Sequence, residues 1–340
     1  MTEEIVIYGA YGHTGKFIVS RLCEQGYTPV LSGRDKGKLV ELGQQYPNLK
    51  IVVADIKDPT SLDNAFSQAK TIINCAGPYL DTAEPIIQSA LRLGRNYIDL
   101  SAEQKAVLDI FENFSQKAKE ADIIFIPAAA FYGGLGDLLS TSLTDGWSQI
   151  DDINIFIWLN SWHPTKGTRL TGERNHYQRF IFADGQLQPL QVGTSITWKF
   201  PKPIDAKEMI AVPLTEIITI SRHLKVKNIN TYVSLNSIED IRRADTPEPV
   251  PTDNKNRSSQ QFCVEVVATN GNKKRKITAQ GQDIYAVTAP LVVEAVNRIK
   301  KGDIKTKGVT TMGEIFATSE FLKNLSSDDI AISEIEERES

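Results

Sequence analysis

A glycine-rich turn, Gly9-Ala10-Tyr11-Gly12-His13-Thr14-Gly15, stands between the apolar run Ile5-Val6-Ile7-Tyr8 and an amphipathic stretch from Lys16 to Gln25. In a strand–loop–helix unit each glycine has its own steric task. Gly9 permits the tight turn, Gly12 lets backbone approach a ligand, and Gly15 allows the helix to pack closely on the strand. The opening turn of such a helix carries unpaired N–H groups and a partial positive charge, which suit a pyrophosphate. Three glycines alone describe many turns. Their place at the head of a strand–helix array is what points to a dinucleotide.

That array continues down the chain. Thr28–Ser32, Ile51–Ala54, Thr71–Asn74, Tyr97–Leu100 and Ile123–Ile126 read as short strands, separated by helical stretches at Lys36–Tyr46, Ser61–Gln68, Glu84–Leu93 and Lys105–Glu120. Continuous apolar strands alternating with helices predict a parallel sheet covered on both faces, a doubly wound Rossmann domain. Near residue 150 the period changes. Asp152 to Asn160 alternates apolar and polar, as a half-exposed antiparallel strand does. Hairpins are expected at Phe180–Leu187, turning on Asp184-Gly185, and at Phe262–Gln280, turning on Asn270-Gly271 as type I′. Thr246–Ser259, rich in Pro, Asp, Asn and Ser, reads as a mobile loop. Helices return at Tyr285–Lys301 and Glu314–Asn324, and the acidic tail after Ser326 is expected to fray.

The fold class expected is therefore α/β: a Rossmann doubly wound parallel sheet with a second α+β domain built on a mainly antiparallel sheet. The dinucleotide domain is placed at 1–130 and the substrate or dimerisation domain at 131–284. A chain of 340 residues is long enough for two cores. Its net charge of −4 and lack of a basic run give no footprint for nucleic acid. No apolar run reaches the roughly 18–20 residues that span a bilayer. The N-terminus, Met1-Thr2-Glu3-Glu4, is acidic where a secretory signal is basic. Cys23, Cys75 and Cys263 are far apart and form no CxxC pair, and no His/Cys/Asp/Glu cluster has metal-ligand spacing. These features lead to the expectation of a cytoplasmic protein with no membrane or nucleic-acid partner and no metal. The exposed edges of a β-rich domain leave room for a homodimer.

Cofactor choice is read at the end of the second strand, where an NAD site carries Asp or Glu. Here the chain has Ser32-Gly33-Arg34, with Lys38 a turn later, and a guanidinium fork suits a 2′-phosphate. NADP is expected, with NAD as the alternative should Asp35 take the ribose hydroxyl instead. Asp55 and Ile56 fall where adenine would lie, Asp55 meeting its amino group or capping the next turn. Cys75-Ala76-Gly77-Pro78, with Tyr97, falls at the carboxyl edge near the nicotinamide. Asp99, Glu103 and Tyr79 are the catalytic candidates there. Either carboxylate could manage a proton or simply cap a helix, and Tyr79 could stack on the ring or fill the wall. Beyond residue 150, Trp158, Trp162, His163, Arg169, Arg174 and His176 suit an anionic substrate or an ordinary packed surface.

These motifs resemble the saccharopine dehydrogenase-like oxidoreductases. The resemblance lies in Gly9 to Gly15, Ser32-Gly33-Arg34, Gly77-Pro78-Tyr79, Glu84-Pro85-Ile86-Ile87 and Tyr97-Ile98-Asp99-Leu100-Ser101-Ala102-Glu103. It returns at Gly281-Gln282-Asp283-Ile284-Tyr285, Thr288-Ala289 and Gly308-Val309. Ala83 and Ala102 replace common glycines, and Phe131-Tyr132-Gly133-Gly134-Leu135-Gly136-Asp137 replaces the usual proline–serine–aspartate turn. The resemblance implies NAD(P)-dependent hydride transfer, and that helices within 285–325 return to the Rossmann domain. It implies a small carbonyl, imine or enoyl substrate less directly, because the departures fall where the second domain begins. The alternative is an NADP-binding sensor or scaffold without turnover.

Overall fold

The computed structural model describes residues 4–190, 195–326 and 329–339. The first half contains β1 (Glu4–Tyr8), α1 (His13–Glu24), β2 (Val30–Gly33), α2 (Lys36–Gln45), β3 (Ile51–Val53) and α3 (Pro59–Phe66). It continues with β4 (Ala69–Asn74), α4 (Tyr79–Leu93), β5 (Asn96–Asp99), α5 (Gln104–Glu120) and β6 (Ile124–Ile126). All six strands run parallel in the order β6-β5-β4-β1-β2-β3. Gly308–Val309 joins beside β6 as a seventh strand. Strand order reverses between β1 and its two neighbours, β2 and β4, with Ile7 opposite both Leu31 and Ile73. A crevice opens at that reversal because the flanking connections leave on opposite faces.

Local chemistry sets most boundaries. Asp35 caps α2 by accepting the Lys38 amide at 3.1 Å, and Asp58 caps α3 ahead of Pro59 in its first turn. Gly94 ends α4 in the left-handed region at φ +65°. One start departs from the sequence reading. Helix α4 begins at Tyr79, five residues before Glu84, because a distant carboxylate caps its first amides (below).

The second half begins with α6 (Gly134–Leu143) and β7 (Ile150–Leu159), then α7 (Lys166–Arg174), β8 (Phe180–Ala183), β9 (Gln186–Pro189), β10 (Ser195–Lys199) and β11 (Ala206–Ala211). There follow α8 (Glu216–Ser221), β12 (Val226–Ser234), α9 (Leu235–Arg242), β13 (Gln261–Asn270), β14 (Lys273–Gln282) and α10 (Thr288–Lys301). The chain closes with β15 (Gly308–Val309), α11 (Met312–Ile315), α12 (Thr318–Leu325), β16 (Ile330–Ile332) and β17 (Glu336–Glu339). The second sheet has ten strands, with the path β10-β11-β12-β7-β13-β14-β16.

Three expectations need correction. Strand β7 is central in a mixed sheet: it pairs antiparallel with β13 but parallel with β12. Its alternation is blurred because Phe156, on the face read as exposed, is covered by Trp198 (ring centroids 3.7 Å apart, planes at 5°) and by Tyr232 (5.3 Å, 12°). The β13–β14 turn falls on Gly271-Asn272, one residue later than expected, with positive φ at Gly271 alone, as a type II′ turn has. The acidic tail does not simply hang free. Glu336–Glu339 lies against Lys273–Lys276, where opposite charges face each other across the strands. Residues 246–259 carry no helix or strand, yet Arg257 ties that segment to Asp253 and Asp329.

The two sheets share one continuous core. Ile7, Ile18 and Leu22 belong to the same buried cluster as Leu291 and Val292 of α10, and as Ile155, Val264 and Ile277 of the second sheet. Helix α10 lies on α1, where the Tyr27 hydroxyl donates to Asn297 Oδ1 at 2.6 Å. Ile155 is fully buried at the centre of this arrangement. We expect Ile155→Ala to destabilise the chain by about 2–5 kcal/mol, the usual cost of an unfilled core site. Urea unfolding followed by tryptophan fluorescence measures it, and a shift below 1 kcal/mol would contradict the central position of β7.

Candidate active site

The glycine turn is folded tightly against the end of β4. Gly9 has φ +81°, donates to Ser32 O at 2.8 Å, and a Cβ on it would lie 2.9 Å from the Ala76 Cβ. A Cβ on Gly15 would meet Gly9 O at 2.5 Å. Gly12 is the N-cap of α1 and brings no side chain to its opening amides, so those donors stay available to an anion. The residues present therefore fit a dinucleotide pyrophosphate. Ala10 is fully buried beneath the turn. Thr14 sits half-buried in the first turn of α1.

Tyr11 folds over Gly33 and accepts the Asp35 amide at 3.3 Å. Lys38 Nζ stands 5.7 Å above its ring and 3.8 Å from Asp35 Oδ2. Arg34 is exposed and makes no hydrogen bond or ion pair among the described residues, so its guanidinium is available. Ser32 points inward and is fully buried. Asp35 and Asp55 are both engaged locally: Asp35 caps α2, and Asp55 accepts the Lys57 amide at 2.9 Å. Asp55 thus holds the turn that follows it, one of the two roles read for it, while Asp35 is engaged at the start of α2. Arg34 opens onto a groove of about 860 Å3, walled by Ile56, Pro59, Leu62 and Leu80, with Lys57 and Arg174 also lining it. Its size suits an adenosine, and its lining mixes those apolar side chains with Asp81, Glu84, Gln88 and Arg92.

The carboxyl edge of β4 and β5 is a closed hydrogen-bond network. Asp99 and Glu103 are both fully buried. Asp99 Oδ1 accepts the amides of Ser101 (2.9 Å) and Ala128 (2.8 Å), and Oδ2 accepts the Tyr97 hydroxyl at 2.9 Å. Glu103 accepts the amides of Tyr79 (3.1 Å) and Leu80 (3.4 Å), which open α4. Each carboxylate is thus engaged with backbone amides that have no other acceptor, which is the structural role read as the alternative to acid/base work. Tyr97, read as a cofactor contact, is inside the sheet, its ring 5.8 Å from Phe125 and its hydroxyl also accepting from Asn74 Nδ2. Tyr79 is buried beside Gly77. The Ala76 amide donates to Asn74 Oδ1, and Cys75 pairs with Tyr8 O, so the Cys75–Pro78 turn is held rigidly at the crevice.

The second half covers this edge with aromatic side chains. His13 packs edge-on against Tyr285, ring centroids 5.1 Å apart, and burial holds its imidazole below the ordinary range. The Tyr285 hydroxyl meets Trp162 Nε1 (3.3 Å), the Thr165 amide (3.4 Å), Thr168 Oγ1 (3.0 Å) and His163 O (3.4 Å). Asp283 positions it by accepting the amides of Ser258, Tyr285 and Ala286. Trp162 lies 5.4 Å from the ring of Tyr132, whose hydroxyl is buried with no hydrogen-bond partner. Sequence reasoning passed over Tyr132 and Tyr285 as site residues. The glycine-rich turn after β6 and the Gly281–Tyr285 segment were visible signals, but nothing local joins them. Of the cations expected to face substrate, Arg169 donates to Arg243 O and Thr246 O, and Arg174 pairs with Asp81. His163 meets Pro247 O, and His176 is exposed.

A doubly wound sheet with a glycine cradle at its switch point, capped by a mixed sheet, defines a two-domain dinucleotide-binding protein. Residues 5–126 match the family model described as the saccharopine dehydrogenase NADP binding domain. Through that domain, the chain is similar to the saccharopine dehydrogenase-like oxidoreductases. A lipid droplet localized protein of Caenorhabditis elegans is 26% identical over 191 residues, covering 52% of this chain and 39% of that protein. A saccharopine dehydrogenase-like oxidoreductase of Bos taurus is 28% identical over 145 residues, covering 37% and 34%. The matches thus span well under half of those relatives. Saccharopine dehydrogenase (L-Glu forming) of Saccharomyces cerevisiae superposes over 99% of both chains with a TM-score of 0.66 at 10% identity, which shows a shared two-domain fold. Among the described residues no His/Cys/Asp/Glu group could hold a metal, and no helix is long and apolar enough to cross a membrane.

Burial raises several carboxylates here: Asp99 to about 6, and Glu103 and Glu216 to about 7. Glu216, on α8, packs on Gly136 and has Oε2 without a partner. A carboxyl raised in the folded state favours folding at low pH and loses that contribution as pH rises through its folded value. Stability should therefore fall between about pH 4.5 and 8. We expect Glu216→Gln to raise the melting temperature relative to the parent at pH 8 and to give no gain at pH 5. Thermal melts at the two pH values test this; equal shifts at both would contradict a buried, titrating Glu216.

Proposed function

We propose that the protein is an NADP-dependent oxidoreductase that transfers a hydride to or from a small carbonyl, imine or enoyl substrate. The observation that carries the reading is the aromatic enclosure at the carboxyl edge, where His13, Tyr285, Trp162 and Tyr132 link the phosphate loop to the second sheet. A protein that only sensed cofactor would need the cradle but no such cover. NADPH bound in the cradle supplies the hydride. The chain has to orient both reactants, exclude water and manage one proton. The amides at the start of α1 hold the pyrophosphate, and Arg34 with Lys38 takes the 2′-phosphate. Cys75 to Pro78 forms the floor beneath the nicotinamide ribose.

In this reading Tyr132 manages the proton. Its hydroxyl is buried and unpartnered, and burial pushes it well above the ordinary phenol range, so it stays neutral and able to donate. A buried donor without a partner is costly, and a substrate oxygen or nitrogen relieves that cost as it gains negative charge. Arg169 is occupied by backbone carbonyls, which favours an uncharged substrate over a dicarboxylate. Free cysteines suit a reducing compartment, and on that ground we place the protein in the cytoplasm.

NADPH consumption followed by absorbance against panels of ketones and aldehydes, cyclic imines and enoyl esters tests the reading. Turnover is expected in one class. Tyr132→Phe should lower kcat about 100-fold while leaving the NADPH Kd within about twofold. Tight NADPH binding with no turnover in any class would instead favour a non-catalytic NADP sensor.

A further inference from the structure

Helix α7 crosses the cleft without hydrophobic anchorage. None of its residues is buried, so apolar packing does not hold it there. Polar contacts do. At its start, Thr165 caps the helix and, with Thr168, meets the Tyr285 hydroxyl. In its middle, Thr171 Oγ1 lies 3.2 Å from where a Gly77 Cβ would stand. At its end, Arg174 grips Asp81 at two points, 2.7 and 3.3 Å, on the first turn of α4. The strap thus runs from the phosphate loop to the far bank of the crevice.

Arg174 also lines the 860 Å3 groove together with Arg34 and Lys57. Neither of those two side chains makes a hydrogen bond or ion pair among the described residues. The Arg174–Asp81 pair is well exposed, at 60% and 37% of side-chain area, and such pairs hold weakly. A phosphate offers a guanidinium the same two-point geometry with more negative charge. Asp81 would repel that same phosphate, as would Glu84, which also lines the groove.

We propose that Arg174 is a cofactor-binding residue contributed by the second domain. Asp81 holds it in this structure, and the 2′-phosphate of NADP takes it over, drawing α7 onto the adenosine half of the cofactor. Cofactor choice is then read by both domains, with Arg34 on one bank and Arg174 on the other. The proposal rests on the NADP reading above and adds a residue to it.

Titration calorimetry of the full chain with NADPH, adenosine 2′,5′-bisphosphate and 5′-AMP tests it, using Arg174→Gln, Asp81→Asn and the double variant. Both single substitutions break the same ion pair, so a merely structural pair gives them the same effect. Transfer of Arg174 gives opposite ones. R174Q should weaken NADPH and the bisphosphate about tenfold and leave 5′-AMP within about twofold. D81N should tighten the first two about threefold, and that gain should largely vanish in the R174Q background. Parallel losses in the two single variants, or an equal loss for 5′-AMP, would overturn the proposal. NADPH binding in R174Q that stays within about twofold of the parent would overturn it alone, whereas a parent chain that binds no NADPH would overturn the cofactor reading as well. Circular dichroism confirms that each variant is folded.

Discussion

At the carboxyl edge of a parallel sheet, strands stop pairing while their backbone is still buried, and each amide left there has to find an acceptor. Asp99 and Glu103 are those acceptors. Asp99 joins the ends of β5 and β6 through the amides of Ser101 and Ala128. Glu103 fixes where α4 begins, by capping Tyr79 and Leu80. The turn from Cys75 to Pro78, which forms one side of the crevice, is set between β4 and that capped helix. Were either carboxylate lost, the amides it serves would be buried without partners. The shape of the dinucleotide crevice therefore depends on two side chains that never reach it.

The same carboxylates carry a thermodynamic consequence. Burial raises Asp99 and Glu103 toward neutrality even though each accepts several hydrogen bonds, so desolvation outweighs the amides that oppose it. Glu216 adds a third raised carboxyl at the junction with the second domain. Ionising any of the three places charge in apolar surroundings, and the backbone donors offset part of that cost.

The second sheet contributes cover rather than a separate body, since a single buried cluster runs from β1 and α1 through α10 into β7, β13 and β14. Tyr285 is the joint. One face of its ring meets His13 of the phosphate loop, and its hydroxyl gathers Trp162, Thr165 and Thr168 from the strap. The pairing of a rigid cradle with a polar, unburied strap suits a cleft that must both admit a cofactor and close over it.

Sequence alone determined the Rossmann sheet, the glycine cradle and the place of Arg34, because those depend on short apolar runs alternating with helical stretches and on turns closed within a few positions. It also placed the change to a β-rich second half. The roles of Asp99 and Glu103 were not legible, since a carboxylate near a strand end reads alike as an acid, a base or a cap until the amides around it are known. Those amides lie 24 residues away at Tyr79 and 29 away at Ala128. Parallel pairing of β7 with β12, across 76 residues, was hidden for the same reason. Tyr132, Trp162 and Tyr285 meet only because the shared core brings the second sheet back over the first. Local pattern specifies which elements form; only the packing of distant segments decides which buried polar atoms must face each other, and the site is made from those.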